Sequence, residues 1–258
     1  MPMFRGRRPL KRWRYVGVFC EELMLCAATV QVGPAHQSFW AILTRADAGL
    51  RERTHMFMHR GSVQLQPGRL QVRDGPVRLD LALEEEAGWE ATCPHGTEQV
   101  WTRKQAGITA RGTIALNGET PRGVQALAIV DDTAGYHARV TEWRWAAGVG
   151  IDPAGKPLAF NLVEGVNDPP SGSERAVWVD GAPHEAPPVS FAADLTEIRA
   201  EDGSKLHFAP EAQRHRHENL LLVRSDYTAP FGVFSGTLPG GIELTHGLGV
   251  IERHSARW

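Results

Sequence analysis

Glycine and proline interrupt this chain every few residues. The 258 residues include 27 glycines and 17 prolines, and few windows between them leave room for three helical turns. Both residues are unfavourable inside helices. Between them lie short apolar runs bounded by turn residues, which is the pattern typical of strands. The sequence therefore predicts an all-β protein, in which the only helices are short ones at 131–137 and 209–213.

The clearest strands lie in residues 62–84, "SVQLQPGRLQVRDGPVRLDLALE". Apolar and polar residues alternate here with a period of two, and the pairs "PG" and "DG" separate the runs. This alternation is typical of antiparallel strands with one face toward the core and one toward water. The segment is predicted to be a meander of three strands.

The number of such runs, roughly sixteen along the chain, is too large for one small barrel. We therefore expect two lipocalin-like barrels or curled antiparallel sheets in tandem. The segment "NGETPRG", which begins at Asn117, collects turn residues. It predicts a boundary between an N-terminal lipocalin-like β domain at 1–120 and a C-terminal one at 121–258.

Composition and motifs exclude several classes of function. A net charge of −2 gives no general attraction to nucleic acid or an anionic membrane. The longest apolar stretch is broken by Glu21 and Glu22, so no membrane span is expected. Cys20, Cys26 and Cys93 form no CxxC motif, which favours a reduced, cytoplasmic setting. Common nucleotide, serine-hydrolase and zinc-protease motifs do not occur in the sequence, and no organic or metal cofactor is expected.

The stretch "GYHARVTEWRWAAGVG", residues 135–150, combines aromatic and charged side chains. If it is extended, His137, Trp143 and Trp145 share one face. Two indoles beside an imidazole could bind a polyene, a terpenoid or a ring system, or stabilise a transient carbocation. The alternative is that the tryptophans belong to the core and that charged neighbours such as Arg144 form an inter-strand network.

Two further strands carry candidate acids. In "AFNLVEGVND", Asn161 and Glu164 interrupt an apolar run, and a carboxyl with a raised pKa there would suit a general acid. The alternative for Glu164 is an ion pair with an arginine such as Arg144. In the terminal "GVIERHSARW", Glu252, His254 and Trp258 share one face, which brings a carboxylate beside an imidazole.

The segment "RHRHEN" brings His215 and His217 onto a common strand face. Two histidines at this spacing can share a metal ion, but a third ligand is not evident nearby. A solvated, polar strand end explains the pattern better, so no metal site is predicted.

Five segments together resemble domain of unknown function 2804, a bacterial family: "KRWRY", "YHARVTEWRWAAGVG", "NLVEG", "VWVDG" and "GVIERHSARW". The resemblance covers most of the chain, from about Arg8 to Trp258. That family is more remotely similar to double-lipocalin-like proteins, which include carotenoid 1,2-hydratases and tocopherol cyclases. Trp143-Arg144-Trp145 matches the W-x-W motif of those enzymes, and His137 precedes it. The Asn-Trp-Gly of the cyclases is not found here. The resemblance implies the fold more firmly than the reaction.

These observations support three hypotheses. In the first, a cavity for an apolar ligand houses a cofactor-independent hydratase or cyclase, which protonates a C=C bond. Its acid is Glu164 or Glu252, with His254 or His137 as partner. Trp143, Trp145 and Trp258 form the wall, Arg144 orients the carboxylate, and Asn161 contributes to the ligand site. In the second, the same cavity belongs to a non-enzymatic carrier of a lipid or terpenoid. In the third, the protein is a scaffold without a cavity. For the first two, we expect the cavity to lie inside the curled sheets.

Overall fold

The computed structural model of the protein describes residues 1–56, 61–220 and 223–257. These residues form β-strands joined by turns, with no helix in the described ranges. The strands of the first half of the chain are β1 (Phe4–Arg5), β2 (Arg8–Pro9), β3 (Lys11–Phe19), β4 (Leu23–Val32), β5 (Ala35–Thr44), β6 (Gly49–Met56), β7 (Val63–Gln66), β8 (Arg69–Asp74), β9 (Val77–Leu83), β10 (Trp89–His95), β11 (Glu98–Ala115) and β12 (Arg122–Gly135).

The strands of the second half are β13 (Val140–Ile151), β14 (Pro157–Glu164), β15 (Ala176–Val179), β16 (Ala182–Glu185), β17 (Val189–Phe191), β18 (Glu197–Ala200), β19 (Lys205–Leu220), β20 (Val223–Leu238) and β21 (Ile242–Arg257). The predicted all-β fold of two curled antiparallel sheets in tandem is confirmed. The predicted helices at 131–137 and 209–213 are wrong, because 131–135 lie in β12 and 209–213 lie in β19. The meander predicted at 62–84 is β7, β8 and β9.

The two large sheets have the same strand order. The first sheet runs β6-β5-β4-β3-β12-β11-β9-β8-β7, with β10 paired to β11. The second runs β16-β15-β14-β13-β21-β20-β19-β18-β17. In both, the first long strand of the half pairs with the last one at the centre of the sheet, through β3 with β12 and β13 with β21. The chain is therefore a structural tandem repeat.

The two halves share a short sequence similarity at equivalent positions. Trp13-Arg14-Tyr15 on β3 occupies the position that Trp143-Arg144-Trp145 occupies on β13. Tyr15 pairs with Asp131 on β12, and Trp145 pairs with Glu252 on β21. The acids Asp131 and Glu252 are thus equivalent positions of the two sheets.

Each sheet buries both of its faces around the centre. On β3, Val16 and Val18 point into a core formed within the first sheet, whereas Tyr15 and Phe19 point toward the second sheet. The second sheet has its own core, which includes Phe160, Phe208 and Phe234. A third apolar cluster joins residues of both sheets and holds the halves together. Double-sided burial explains why the central strands read as nearly continuous apolar runs.

The sheets meet at a different point from the predicted boundary after residue 120. The turn that begins at Asn117 joins β11 to β12, which are neighbours in the first sheet. The first sheet ends at Gly135 and the second begins at Val140, so the connection between them is residues 136–139. No helix in the described part of the chain is long and apolar enough to cross a membrane.

Candidate functional site

A cavity of about 310 Å³ lies between the two sheets. The central strands β3 and β12 contribute to one wall and β13 and β21 to the other, and neighbouring strands complete the lining. This location differs from the expected one, because the inner face of each sheet is filled by its own apolar core. The equivalent central strands of the repeat therefore face each other across the cavity.

Aromatic rings from both sheets form the cavity walls in matched pairs. Trp13 stacks on Trp143, with ring centroids 6.3 Å apart and an interplanar angle of 10°. Tyr15 meets Trp145 edge to face, with centroids 5.4 Å apart. Such walls present broad apolar faces with electron-rich surfaces. They suit a flat or ring-containing molecule, and they can stabilise positive charge.

Glu252 is the carboxyl on the second-sheet wall, and it is buried. The Trp143 Nε1–H donates a hydrogen bond of 2.7 Å to its Oε1, and the Tyr227 hydroxyl is a second partner. Burial raises the pKa of Glu252 to about 7, although both hydrogen bonds favour the ionised form. A carboxyl with this pKa is partly protonated near neutral pH, as a general acid must be.

His254 lies beside Glu252 on β21, with its Nδ1 3.9 Å from the Glu252 Oε1. Its ring packs against Trp143, at a centroid distance of 4.3 Å, and its Nε2 is 2.8 Å from the Ser225 Oγ. Burial lowers the pKa of His254 to about 3. The imidazole is therefore neutral at physiological pH, when it cannot serve as a cationic acid.

The first-sheet wall carries a different acid group. Lys104 lies opposite Asp131 in the β11–β12 pair, and its Nζ is 2.5 Å from the Asp131 Oδ1 and 3.3 Å from the Glu174 Oε1. Burial opposes the charge on Lys104, but the two carboxylates outweigh it and raise the pKa of the ammonium group. Burial raises the pKa of Glu174. Asn167 completes the cluster by donating from its Nδ2 to the Glu174 Oε2 at 2.8 Å.

Arg214 brings a buried guanidinium to the same cavity. Its Cζ lies 3.9 Å from the centroid of the Phe39 ring and 5.2 Å from that of Tyr227. The Nε is 2.8 Å from a Glu52 carboxylate oxygen, and Nη2 donates to the Thr54 hydroxyl at 2.8 Å. This group therefore has its counter-ion within the protein.

His137 lines the cavity from the segment that joins the sheets. Its ring centroid is 4.8 Å from that of Trp13 and 5.4 Å from that of His95. Burial holds the pKa of His137 well below its ordinary value, and the neighbouring Lys11 adds to this effect. His137 is accordingly a neutral imidazole.

Seven of the nine residues predicted from sequence fall into two groups. His137, Trp143, Trp145, Glu252 and His254 all line the cavity. Glu164 and Arg144 do not: they form a half-exposed ion pair of 3.1 Å, and the same Glu164 oxygen accepts from the Phe191 backbone N–H.

Asn161 lies behind the wall rather than on it. Its Oδ1 accepts from the Trp145 Nε1–H at 2.7 Å, and its Nδ2 donates to the Glu174 carbonyl oxygen at 2.9 Å. It therefore orients one wall residue from each of two segments. Trp258 lies outside the described residues. Among the described residues, no group of three or more histidine, cysteine, aspartate or glutamate side chains is arranged to hold a metal ion.

Sequence reasoning missed the first-sheet wall and three lining residues of the second half of the chain. The missed residues are Trp13, Tyr15, Lys104, Asp131, Glu174, Arg214 and Tyr227. One signal was available, since Lys104 and Asp131 both stand in otherwise strand-like runs, "VWTRKQAGI" and "LAIVDD". A charge in such a run needs a partner, and here each is the partner of the other.

Fold and site together define a protein of two equivalent curled sheets with an aromatic, acid-bearing cavity between them. The sequence profile of the domain of unknown function DUF2804 matches residues 70–258. The chain belongs to this family, as the resemblance of its motifs implied. No significant match is found among curated proteins.

Solved structures of distant sequence share the fold. A protein of Nitrosomonas europaea provisionally called AttH has 13% identity and a TM-score of 0.59, over 94% of this chain and 91% of that one. Kievitone hydratase from Nectria haematococca has 10% identity and a TM-score of 0.57, over 94% and 88%. CghA with Sch210972 has 8% identity and a TM-score of 0.53, over 96% and 88%. At these identities the likeness concerns the fold.

Proposed function

We propose that this protein binds a largely apolar organic molecule between its two sheets and protonates a C=C bond of that molecule through Glu252. The reaction is a hydration or a cyclisation that needs no organic or metal cofactor. One observation carries the proposal: a buried carboxyl whose pKa lies at about 7 faces a cavity walled by indole and phenol rings. The fold shared with a protein named as a hydratase is consistent with this chemistry.

Each step has a candidate group. The Glu252 O–H bond breaks as a C–H bond forms, which leaves a cation on the neighbouring carbon and a carboxylate on Glu252. Trp143, Trp145 and Trp13 present their ring faces to that cation. Water, or a second double bond of the same molecule, then supplies the electron pair, and a proton returns to the carboxylate. A neutral His254, 3.9 Å from Glu252, is positioned to assist this return.

Glu252 takes this role rather than Glu164. The Glu164 carboxylate already has Arg144 and the Phe191 N–H as partners, and it lies outside the cavity. Glu252 has hydrogen bonds from an indole and a phenol, and its burial favours the protonated form.

The test begins with the ligand. Native mass spectrometry on protein purified without detergent should detect a co-purifying compound. That compound is extracted and incubated with fresh protein in D2O. Wild-type protein should introduce deuterium at carbon, and Glu252→Gln should reduce the rate at least a hundredfold while leaving binding of the compound intact. Glu142→Gln, an exposed change on the same strand as Trp143, is the matched control. Full deuterium incorporation by Glu252→Gln would contradict the assignment.

The alternative is a non-enzymatic carrier. It is favoured by the ion-paired cluster of the cavity, in which Asp131 and Glu174 are both bound to Lys104. A carrier would bind the co-purifying compound without exchanging any of its carbon-bound hydrogens. The same experiment therefore separates the two functions.

A further inference from the structure

Several buried polar atoms of the cavity lining lack a hydrogen-bond partner of ordinary strength within the described residues, and the Tyr15 hydroxyl and the Asn167 Oδ1 are two of them. Tyr15 and Asn167 are 6% and 4% exposed. Neither the Tyr15 hydroxyl nor the Asn167 Oδ1 makes a hydrogen bond within the described residues, apart from a contact of the Tyr15 hydroxyl with the thiol of Cys26. Both side chains line the cavity. Leaving such groups without partners is costly, so the contents of the cavity must supply them.

The surroundings fix what each atom requires. The Nδ2 of Asn167 donates to Glu174, so its Oδ1 points away from that bond and can only accept. It needs an O–H or N–H donor. The Tyr15 ring is held against Trp145, and the Tyr15 hydroxyl has a proton to donate, because burial raises its pKa well above the ordinary value. It needs an acceptor oxygen or nitrogen.

The charged groups of the cavity do not call for a charged ligand. Lys104 is bound to Asp131 and Glu174, and Arg214 is bound to Glu52. An anionic ligand would also meet the carboxyl group of Glu252, whose ionised form would repel it. Because the cations of the cavity already have counter-ions in the protein, the site favours a neutral ligand.

We infer that the molecule bound between the sheets is a neutral, ring-containing compound with at least two oxygen substituents, one accepting from Tyr15 and one donating to Asn167. This inference rests on the proposed function, because it concerns the same cavity, and it narrows the ligand from apolar molecules in general to oxygenated ones. An oxygen conjugated with the reacting double bond also stabilises the cation formed on protonation. Such a substrate suits an acid no stronger than Glu252.

Matched probes test the inference on the full chain. Isothermal titration calorimetry is run with naphthalene, 2-naphthol, 2,6-dihydroxynaphthalene and 2-naphthoate. These probes share one ring system and differ in oxygen and charge. Affinity should rise about tenfold from naphthalene to 2-naphthol and again to the diol, since each hydroxyl satisfies a buried partner. The anion 2-naphthoate should bind more weakly than 2-naphthol.

Tyr15→Phe removes one oxygen and retains the ring. It should reduce the ratio of diol to naphthalene affinities by about tenfold. Tyr136→Phe is the control, because the Tyr136 hydroxyl donates to the Pro2 carbonyl oxygen at 2.7 Å and the residue does not line the cavity. All four affinities should be unchanged in that variant.

The outcomes separate this inference from the proposed function. Equal affinities for naphthalene and the diol in the wild-type chain would overturn the oxygenated-ligand inference and leave the apolar site intact. A failure of every probe to bind would overturn both. The wild-type ratio decides the ligand class even if Tyr15→Phe does not fold, and an unchanged ratio in a folded Tyr15→Phe would overturn the role of Tyr15.

Discussion

The two sheets carry an acid at equivalent positions, but the acid has a different environment in each sheet. In the first sheet, Asp131 faces Lys104 on the neighbouring strand. In the second sheet, the β20–β21 pairs on both sides of an interruption share one register, and this register places Ala229 opposite Glu252. The alanine side chain carries no charge. Glu252 has a tryptophan and a tyrosine as partners instead.

This difference shows that the backbone position does not determine the chemistry of an acid. A cation on the adjacent strand converts a buried carboxylate into half of an ion pair, which holds the sheets together. Without that cation, burial outweighs the hydrogen bonds that favour the ionised form, and the pKa of the carboxyl rises. One copy of the repeat thus holds its acid in an ion pair, and the other holds a buried carboxyl with a raised pKa.

The largest expected effect tests the ion-paired copy. Lys104→Met leaves Asp131 and Glu174 buried beside each other without a counter-charge. It should lower the free energy of unfolding by about 3–5 kcal/mol. Urea denaturation followed by tryptophan fluorescence measures this, with the exposed Lys156→Met as control. A loss below about 1 kcal/mol would show that the cluster is not the stabilising half of the comparison.

The pH dependence of stability tests the other copy. The pKa of Glu252 rises from 4.5 to about 7 on folding, so the unfolded chain releases this proton first and stability falls as pH rises from about 4.5 to 7. Glu252→Gln removes this loss. Relative to wild type, the variant should gain on the order of 3 kcal/mol between pH 4 and pH 8. Denaturant titrations at a series of pH values provide the measurement.

His254 should show the opposite sign. The pKa of His254 falls from 6.5 to about 3 on folding. Between these two pH values the imidazole is protonated in the unfolded chain but not in the folded chain. The free energy of unfolding therefore decreases as pH falls from about 6.5 to 3. His254→Gln should therefore gain stability relative to wild type at pH 4 and not at pH 8. The same denaturant titrations provide the measurement. If Glu252→Gln and His254→Gln changed the pH dependence of stability in the same way, the opposite pKa shifts of the two residues would be contradicted.

The smallest expected effect compares the two equivalent arginines. Arg14 binds both Asp132 and Glu85, and its side chain is 12% exposed. Arg144 binds Glu164 alone, and its side chain is 35% exposed. Arg14→Met should cost about 2 kcal/mol of unfolding free energy, and Arg144→Met less than about 1 kcal/mol. Thermal or urea unfolding of the two variants side by side checks the order, and a reversed order would contradict it.

The fold class was accessible from sequence because its signals are local. Alternation and turn residues in 62–84 predicted β7, β8 and β9, and the alternation of "GVIERHSARW" brought Glu252 and His254 to one face. Alternation also grouped Trp143 with Trp145. Period-two patterning reports which side chains share a face, and that much was predicted correctly for the second-sheet wall.

The remainder depends on how the sheets pack. No local sequence pattern indicates which face of β3 packs toward the other sheet. Trp13 and Tyr15 were therefore not predicted to line the cavity. The pairing of Lys104 with Asp131 joins strands through a turn that looked like a domain boundary. The repeat itself survives in sequence as little more than a tryptophan, an arginine and an aromatic residue in each half.

The position of β21 has a consequence for how the protein is made. This strand follows every other strand of its sheet in the sequence, yet it is inserted between β13 and β20 at the centre. Contacts across such a distance form slowly, since a long stretch of chain must be closed first. The centre of the second sheet is therefore complete only when β21 docks, and that docking buries Glu252 and raises its pKa.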